Sequence, residues 1–243
     1  MNNNLVDVFD VTKRYGPTTA VQGVSLSIRA GETYALVGAN GAGKSTLIRS
    51  IVGITVPDEG RILVCGEDTK SHAVRARRHI GYLPEELTLY ARLTGREYLE
   101  LVAGLKDSDP RQVPTELDFF ELHNVADKWV GGYSLGMRKK LGLAAALIGH
   151  PSVLVLDEPL NGLDVEMMRK LRVRLTAECE SGNALLVSSH LMDFVERTAH
   201  RVGVMSAGRL VAEGSPQELR NRTGLVDVPF EDVFFHLTFD STG

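Results

Sequence analysis

The chain has 243 residues, of which 43% are hydrophobic and 24% are charged, and its formal net charge is -4. These values are typical of a globular protein and give no electrostatic reason to expect nucleic-acid binding. The longest apolar run, "LGLAAALIG", falls far short of the roughly 20 residues that span a bilayer, and the start "MNNNLVDVFD" has no signal-peptide pattern.

The first third of the chain alternates strand-like runs with turns. The runs "LVDVF", "GVSLSI" and "TYALVG" predict strands, and the last of them is a buried-strand run that ends on Gly38. A helix is predicted from Lys44 to about Val52. The stretch "PDEGRILVCGED" then indicates a turn, a strand and a turn.

The next stretch, "GYLPEELTLY", places two acids directly after a proline. Proline disfavours helix in the residue before it, so we expect a short strand to end at Pro84 and a loop to begin. An acid at the end of a strand is either solvated surface or a metal ligand. The stretch alone leaves both readings of Glu85 open.

From about residue 86 to residue 141 the pattern is mostly helical. "TGREYLELVAGL" begins with Thr94 as a predicted N-cap, and Glu97 three residues later completes a capping box. "PTELDFFELH" continues the helical pattern. Trp129, the single tryptophan, is expected in the core of this segment. Cys65 and Cys179 lack metal-ligand spacing, and a disulfide between them is the less favoured reading.

The remainder alternates strands and helices: "SVLVLD", "VEMMRKLRVRLTAECE", "ALLVSS", "LMDFVERTA", "RVGVMS" and "RLVAEG". This alternation predicts a parallel sheet with helices on its faces, into which the helical middle is inserted. The apolar cluster "FEDVFFHLTF" near the end predicts a terminal helix docked on its own domain, with an interaction tail as the alternative.

"GANGAGKS" matches the phosphate-loop pattern G-x-x-x-x-G-K-[ST] on Gly38, Gly43, Lys44 and Ser45. Glycines let backbone N–H groups approach phosphate oxygens, and the following helix points its positive end at the same anion. Lys44 is expected to reach the β- and γ-phosphates, and the Ser45 hydroxyl to bind Mg²⁺. The context fits, because an apolar strand precedes the motif and a helix follows it.

A phosphate-loop enzyme also needs a second Mg²⁺ contact and a group that positions or deprotonates the attacking water. Asp157 ends the apolar strand "SVLVLD", at the sheet edge where ligands of open α/β sheets bind. Glu158 follows it and is the predicted general base; the alternative is an acid pair that only caps the next helix. His190 follows the strand-like run "ALLVSS", and a parallel sheet would bring it beside Asp157; the alternative is a satisfied polar residue at a strand end.

Together these motifs resemble the nucleotide-binding domain of ABC (ATP-binding cassette) ATPases, over nearly the whole chain and in the family's order. "VLVLDEP" is similar to Walker B, "NGLD" to the D-loop, and "YSLGMRKKL" lies where the signature motif falls. The resemblance implies nucleotide contacts from Tyr15, Gly38, Ala39, Asn40, Gly41, Ala42, Gly43, Lys44, Ser45, Thr46, Glu85, Ser134, Gly136 and Asp164. It implies Mg²⁺ contacts from Ser45, Asp157 and Glu85, and catalytic roles for Glu158, His190 and Lys44. ATP is favoured because the guanine-reading motif of GTPases is absent.

The implied fold is α/β: a P-loop NTPase core with a mainly parallel sheet and N-terminal antiparallel strands, plus a helical subdomain that carries the signature. We expect one ABC ATPase domain, with residues 1–85 and 142–243 in the core and residues 86–141 in the helical subdomain. The signature departs from the usual L-S-G-G-Q at Leu135 and Met137 but keeps Ser134 and Gly136. The basic run at residues 138–140 is expected to be mostly a solvated face, with some contact to a partner subunit.

The resemblance further implies a second nucleotide-binding subunit, because each ATP of the family is held between the Walker A loop of one copy and the signature of another. It implies a separate membrane permease, which places the chain on the cytoplasmic face of the membrane in an exporter. Two alternatives stand beside this reading: a soluble ABC ATPase that acts mechanically on a non-membrane partner, and a non-hydrolysing regulatory binder. The transported substrate is not indicated.

In the family's order "GYLPEELTLY" is the Q-loop, where Glu85 replaces the usual glutamine. Glu85 is therefore predicted to contact Mg²⁺ or its water, and the resemblance reduces the two earlier readings to this one. Glu86 is expected to be a solvated neighbour or a helix-start acid. Residues 87–92 are the expected docking segment for the permease.

Overall fold

Two β-sheets form the framework of the part of the chain that this computed structural model describes, residues 3–225 and 228–239. The strands in these residues are β1 (Asn4–Tyr15), β2 (Thr18–Arg29), β3 (Thr33–Gly38), β4 (Glu59–Val64), β5 (Glu67–Asp68), β6 (Ile80–Leu83), β7 (Val153–Asp157), β8 (Ala184–Ser188), β9 (Arg201–Ser206) and β10 (Arg209–Gly214). The first sheet has the order β2-β1-β4-β5 and is antiparallel. The second has the order β10-β9-β3-β8-β7-β6; it is parallel from β9 to β6, with β10 antiparallel at its edge.

Strands β3, β7 and β8 in the middle of the second sheet are buried at every position. Their continuous apolar runs are typical of parallel strands that are covered on both faces. The prediction of a mainly parallel sheet with N-terminal antiparallel strands is confirmed. Because β3, β6, β7 and β8 run in the same direction, their carboxyl ends meet at one edge, where ligands of such sheets bind.

Helices connect the strands and cover the parallel sheet. Those in the described residues are α1 (Lys44–Ile51), α2 (Ala73–Arg78), α3 (Gly95–Leu105), α4 (Gln112–Phe119), α5 (Leu135–Leu147), α6 (Val165–Glu180), α7 (Met192–Thr198), α8 (Pro216–Thr223) and α9 (Phe230–Phe239), together with 3₁₀ helices at His123–Val125 and Val130–Gly132. Within the described ranges, none of these helices combines the length and the apolar character needed to cross a bilayer.

The predicted capping box at the start of α3 is confirmed. The Thr94 hydroxyl accepts a hydrogen bond from the Glu97 backbone N–H at 3.2 Å, and the Glu97 carboxylate accepts one from the Thr94 N–H at 2.8 Å. The loop predicted after Pro84 is confirmed, because the segment between Pro84 and Thr94 is irregular, and the first helix of the mostly helical stretch begins at Gly95. Apolar side chains of this loop pack on the core without helical spacing, and Glu86 starts no helix.

One hydrophobic cluster joins the helical middle of the chain to the parallel sheet. Leu99 of α3, Leu117 of α4 and Leu141 of α5 share this cluster with Leu154 of β7 and Leu171 of α6. A second cluster lies between the two sheets and includes α1. The continuity of the first cluster sets the position of α5 relative to the sheet edge.

Helix α9 packs on the edge of the parallel sheet. Phe230, Val233 and Phe234 are buried in a third hydrophobic cluster together with Val202 and Val204 of β9. The predicted docking of a terminal helix on its own domain is confirmed for the described residues; the rest of the chain end, residues 240–243, lies outside them.

The expected core position of Trp129 is wrong, because 69% of this side chain is exposed. The fully buried side chains of the same region include Phe120 and Leu122, which fill the space between α4 and its neighbours. Cys65 and Cys179 are both free thiols; the disulfide between them was the less favoured reading of the sequence.

The division of the chain into a core and a helical subdomain stays a proposal. Its first boundary, at residues 85–86, lies in the loop that follows β6. Its second boundary, at residues 141–142, lies within the continuous helix α5. Helix α5 therefore extends from the proposed subdomain into the proposed core.

Candidate active site

The loop between β3 and α1 has the backbone conformation that the phosphate-loop pattern predicts. Gly41 and Gly43 have φ angles of 79° and 101°, in the left-handed region that favours glycine. A Cβ atom at Gly43 would lie 2.2 Å from the Ala20 carbonyl oxygen, so no other residue fits there. These glycines let the loop fold closely around the start of α1.

The N-terminus of α1 has no side chain that satisfies its free backbone N–H groups. Its N-cap is Gly43, which makes no side-chain hydrogen bond, and the first turn contains no acid. Free N–H groups and the helix dipole together favour an anion at this position. The start of α1 is therefore suited to hold phosphate.

A cavity of about 340 Å³ lies above this loop and brings several predicted site residues together. Those that line it are Asn40, Gly41, Ala42, Gly43, Lys44, Ser45, Thr46, Glu85, Asp157, Glu158 and His190. Ala20 and Arg49 also line it, and the sequence analysis missed both. Arg49 lies one turn into α1, and this helical spacing from Ser45 is the signal that could have found it.

Lys44 is held inside the phosphate loop. Its Nζ donates hydrogen bonds to the carbonyl oxygens of Gly38, at 2.6 Å, and Ala39, at 3.2 Å. Burial lowers the pKa of this lysine, while the charges of Glu158, Asp157 and Glu85 oppose that shift. The ammonium group thus lies at the cavity wall among carboxylates that favour its charged form.

The carboxylate of Asp157 is fixed by a hydroxyl on the neighbouring strand. Asp157 and Ser188 are register partners at the ends of β7 and β8, and the Ser188 hydroxyl donates a hydrogen bond to Asp157 Oδ1. The same hydroxyl accepts one from the Glu158 N–H at 3.0 Å. Sequence reasoning missed Ser188, although the run "SSH" places it two residues before the predicted histidine.

Glu158 is buried and has an unusual backbone, with only 3% of its surface exposed and a φ angle of 50°. His190 Nε2 lies 3.2 Å from Glu158 Oε1, and the His190 backbone N–H donates to Oε2 at 3.4 Å. Burial raises the pKa of Glu158, against the lowering effects of His190 and Lys44. Among the described residues, Oε1 accepts no hydrogen bond of good geometry.

Glu85 reaches the cavity from the loop after β6. It is solvent-exposed and lines the cavity together with Ser45 and Asp157. Three groups with oxygen donors, a hydroxyl and two carboxylates, are thereby brought to one wall. Hydroxyl and carboxylate oxygens are ligands that Mg²⁺ prefers.

The predicted signature and D-loop residues lie outside this cavity. Ser134 is the N-cap of α5 and accepts a hydrogen bond from the Met137 N–H at 3.2 Å. Gly136 lies close to the D-loop, since a Cβ atom there would be 3.0 Å from the Gly162 carbonyl oxygen. Asp164 is the N-cap of α6 and accepts from the Met167 N–H at 2.8 Å. Their predicted contacts with nucleotide therefore stay predictions.

Gly38, Ala39 and Tyr15 are also absent from the cavity lining. Gly38 ends β3, and its carbonyl oxygen and that of Ala39 bind the Lys44 ammonium. Tyr15 ends β1 with 48% of its side chain exposed, and Lys13 Nζ lies 5.5 Å from its ring centroid. Its exposed ring is free to stack on a base, and this role stays a prediction.

The expectation of a solvated basic face at residues 138–140 is wrong. The Arg138 guanidinium donates to the Tyr133 carbonyl oxygen at 2.6 Å, and only 6% of Lys139 is exposed. Lys140 Nζ lies 3.0 Å from a Glu121 carboxylate oxygen and 3.6 Å from one of Asp164. Lys139 is thus buried, and Arg138 and Lys140 are half-buried through contacts that the local sequence does not indicate.

The fold and the cavity define the class of this protein. A phosphate loop joins a central parallel strand to a helix, and an acid pair and a histidine from neighbouring strands face that loop across one cavity. This arrangement is that of a P-loop nucleotide-binding protein, in which the β7 acids lie opposite the phosphates.

Comparison with known proteins identifies the family. The sequence family described as ABC transporter matches residues 21–161. Nod factor export ATP-binding protein I of Burkholderia thailandensis is 42% identical over 218 residues, which cover 88% of this chain and 72% of that protein. A solved structure described as the ATP binding subunit of an ABC transporter has a TM-score of 0.92 at 30% identity, covering 96% of this chain and 99% of the other.

A second solved structure, cbiO1 from Clostridium perfringens, is described as part of the ABC transporter complex cbiONQ. It has a TM-score of 0.74 at 26% identity and covers 90% of this chain and 91% of its own. The present chain belongs to the ABC transporter family, as an ATP-binding subunit with ATPase activity. The predicted family and fold class are confirmed.

Proposed function

We propose that this chain is the ATP-hydrolysing subunit of an exporter and that it couples closure of an ATP-bound dimer to a separate membrane permease. The proposal rests on one observation: the predicted site residues lie in two separate places on the molecule. Lys44, Glu158 and His190 meet in one cavity, whereas Ser134 and Gly136 lie outside it. One copy thus supplies the phosphate loop and acids, and a second copy supplies the signature.

Mg²⁺ fits the residues of this cavity. In the described part of the chain no group of three acidic, histidine or cysteine side chains is arranged to hold a metal alone. Mg²⁺ needs no such group, because it is usually bound by one or two carboxylates, waters and the phosphates of its substrate. Ser45, Asp157 and Glu85 would hold it here, and the ion would neutralise charge on the phosphates.

Glu158 is the proposed general base. No donor in the described part of the chain makes a hydrogen bond of good geometry to its buried Oε1 atom, so this atom is free to accept a proton from an attacking water. His190 Nε2 lies 3.2 Å from this atom, and the imidazole would hold the carboxylate in position next to the terminal phosphate. Lys44 would leave its carbonyl partners to bind the β- and γ-phosphates, since an anion is the stronger acceptor.

Dimer closure follows from the charge of the terminal phosphate. Ser134 caps α5 at the outer surface, so its hydroxyl and the N–H groups of this helix start can bind phosphate held by another copy. Hydrolysis removes that bridging charge, and closure is then favoured only with ATP. Asp164 and Gly136 would lie in the same interface.

The exporter role rests on the relatives. The Burkholderia protein is named for Nod factor export, and the Clostridium protein for a transporter complex. By this likeness we place the chain at the cytoplasmic face of a membrane, bound to a permease through residues 87–92. No nucleic-acid partner is proposed.

Affinity purification from detergent-solubilised membranes tests the permease. A tagged chain should recover a polytopic membrane protein in stoichiometric amount, and replacing residues 87–92 by a Gly/Ser segment should abolish this recovery while ATP binding persists. If both forms recover only soluble proteins, the alternative of a mechanical ATPase with a non-membrane partner is favoured.

Glu85→Ala is expected to uncouple the permease from hydrolysis. The carboxylate lies between the cavity and the loop that leads to residues 87–92, so its loss should reduce permease stimulation of ATPase activity several-fold, with a smaller effect on the basal rate. Glu86, the neighbouring exposed acid, provides a matched control. Glu86→Ala should keep the permease stimulation of ATPase activity. Equal stimulation of the Glu85→Ala and unmodified proteins would contradict the role.

A further inference from the structure

One face of α5 lies directly against β6. Lys139, Gly142 and Ala146 are spaced i, i+3 and i+7, so they share this face. A Cβ atom at Gly81 of β6 would lie 2.1 Å from the Ala146 carbonyl oxygen, and one at Gly142 would lie 2.9 Å from a Leu83 methyl carbon. The two glycines permit this close approach, and the same face carries Lys139 toward the end of β6.

The end of β6 leads directly into the Glu85 loop. A Cβ atom at Gly142 would also lie 2.8 Å from Leu87, so α5 contacts this loop as well as the strand. Glu85 and Lys139 both line a second cavity, of about 340 Å³, between α5 and the D-loop. The lysine and the Glu85 carboxylate therefore face a common cavity that is distinct from the one above the phosphate loop.

Lys139 is a buried cation, with only 6% of it exposed. In the part of the chain that the structure describes, this lysine makes no ion pair with a carboxylate. Burial lowers the pKa of this lysine, and the charges of Asp157, Glu158 and Glu85 oppose that shift. A cation this buried is costly, and the Glu85 carboxylate, which lines the same cavity, offsets part of that cost.

We propose that Lys139 is a positioning residue that acts as a fixed counter-ion of the Glu85 carboxylate. It partly neutralises the negative charge at the Glu85 loop before a divalent ion arrives, so that a polyphosphate can enter the cavity. The inference rests on the proposed nucleotide site and adds to it a cation from the signature helix of the same chain.

The test compares ADP affinity with Mg²⁺ and with EDTA by titration calorimetry. Lys139→Gln exposes bound phosphate to uncompensated carboxylates when the metal is removed, so metal-free affinity should fall on the order of five- to tenfold. With Mg²⁺ present the ion offsets the same charges, and affinity should change less than about twofold. The measured quantity is the ratio of the two dissociation constants.

Two variants separate charge from packing. Lys139→Arg keeps the charge and should show the same ratio of dissociation constants as the unmodified protein. Lys106→Gln removes another partly buried lysine, whose Nζ donates to the Ile148 carbonyl oxygen at 2.7 Å, and should leave the ratio unchanged. Urea unfolding midpoints of all variants identify any loss of folded protein.

The proposal is overturned if folded Lys139→Gln keeps the ratio of dissociation constants of the unmodified protein. This includes the case in which ADP affinity falls equally with and without Mg²⁺. The nucleotide site itself is tested separately through Lys44→Ala. If that variant binds ADP normally, the proposed function fails; if it loses binding while Lys139→Gln keeps the unmodified ratio, only the counter-ion role fails.

Discussion

Glu158→Gln is expected to reduce ATP turnover by about 10²–10⁴-fold, the usual contribution of a general base. The amide keeps the shape of the buried carboxylate but cannot take a proton from water. ATP binding should persist, because the phosphate loop is unchanged, and the protein should accumulate as an ATP-bound dimer. Phosphate release and size-exclusion chromatography with ATP measure the two effects.

The exposed acid at the end of α6 offers a control for this change. Glu180→Gln alters the same chemical group outside the cavity and should leave turnover and oligomeric state unchanged. A Glu158→Gln protein that hydrolyses ATP at the normal rate and stays monomeric would remove Glu158 from the role of base. The mechanism would then need another proton acceptor in the cavity.

Lys44→Ala is expected to weaken ATP binding by about ten- to a hundredfold. Hydrogen bonds to charged groups contribute about 1.5–3 kcal/mol, and this variant removes the ammonium that would bind two phosphates. The lost bonds to Gly38 and Ala39 lie within the loop, so the fold of the sheet should persist. Equilibrium titration with ATP and Mg²⁺ measures the change.

Lys128→Ala provides the matched control, because this lysine is exposed and does not line the cavity. Its ATP affinity should equal that of the unmodified protein. Unchanged affinity in Lys44→Ala would be incompatible with the assigned phosphate contact. Circular dichroism spectra of both variants should match, which separates a lost contact from a lost fold.

Local sequence was sufficient to predict the elements whose signals lie within a few residues. The glycine spacing of residues 38–45 requires the observed turn, and Thr94 with Glu97 forms the predicted cap. Helix α6 begins after Asp164 and spans the predicted residues. In these cases, backbone stereochemistry or an adjacent side chain decides the conformation.

Other features depended on contacts between distant parts of the chain. Trp129 is exposed because other side chains fill the helical core, although its hydrophobicity suggested burial. Ser188 was missed because its link to Asp157 arises from the register of β7 and β8. The loop after Pro84 was predicted from the sequence, but the packing of its Leu87 and Leu89 on the core depends on residues that are distant in sequence.

The sequence by itself determined the phosphate loop, the order of the motifs and the parallel α/β fold, since each depends on local spacing. Only the tertiary structure decided that Glu85, Asp157, Glu158 and His190 share one cavity, and that Lys139 is buried and lines a second cavity together with Glu85. Burial and charge proximity depend on how α5 packs against β6, and that packing is a property of the folded chain.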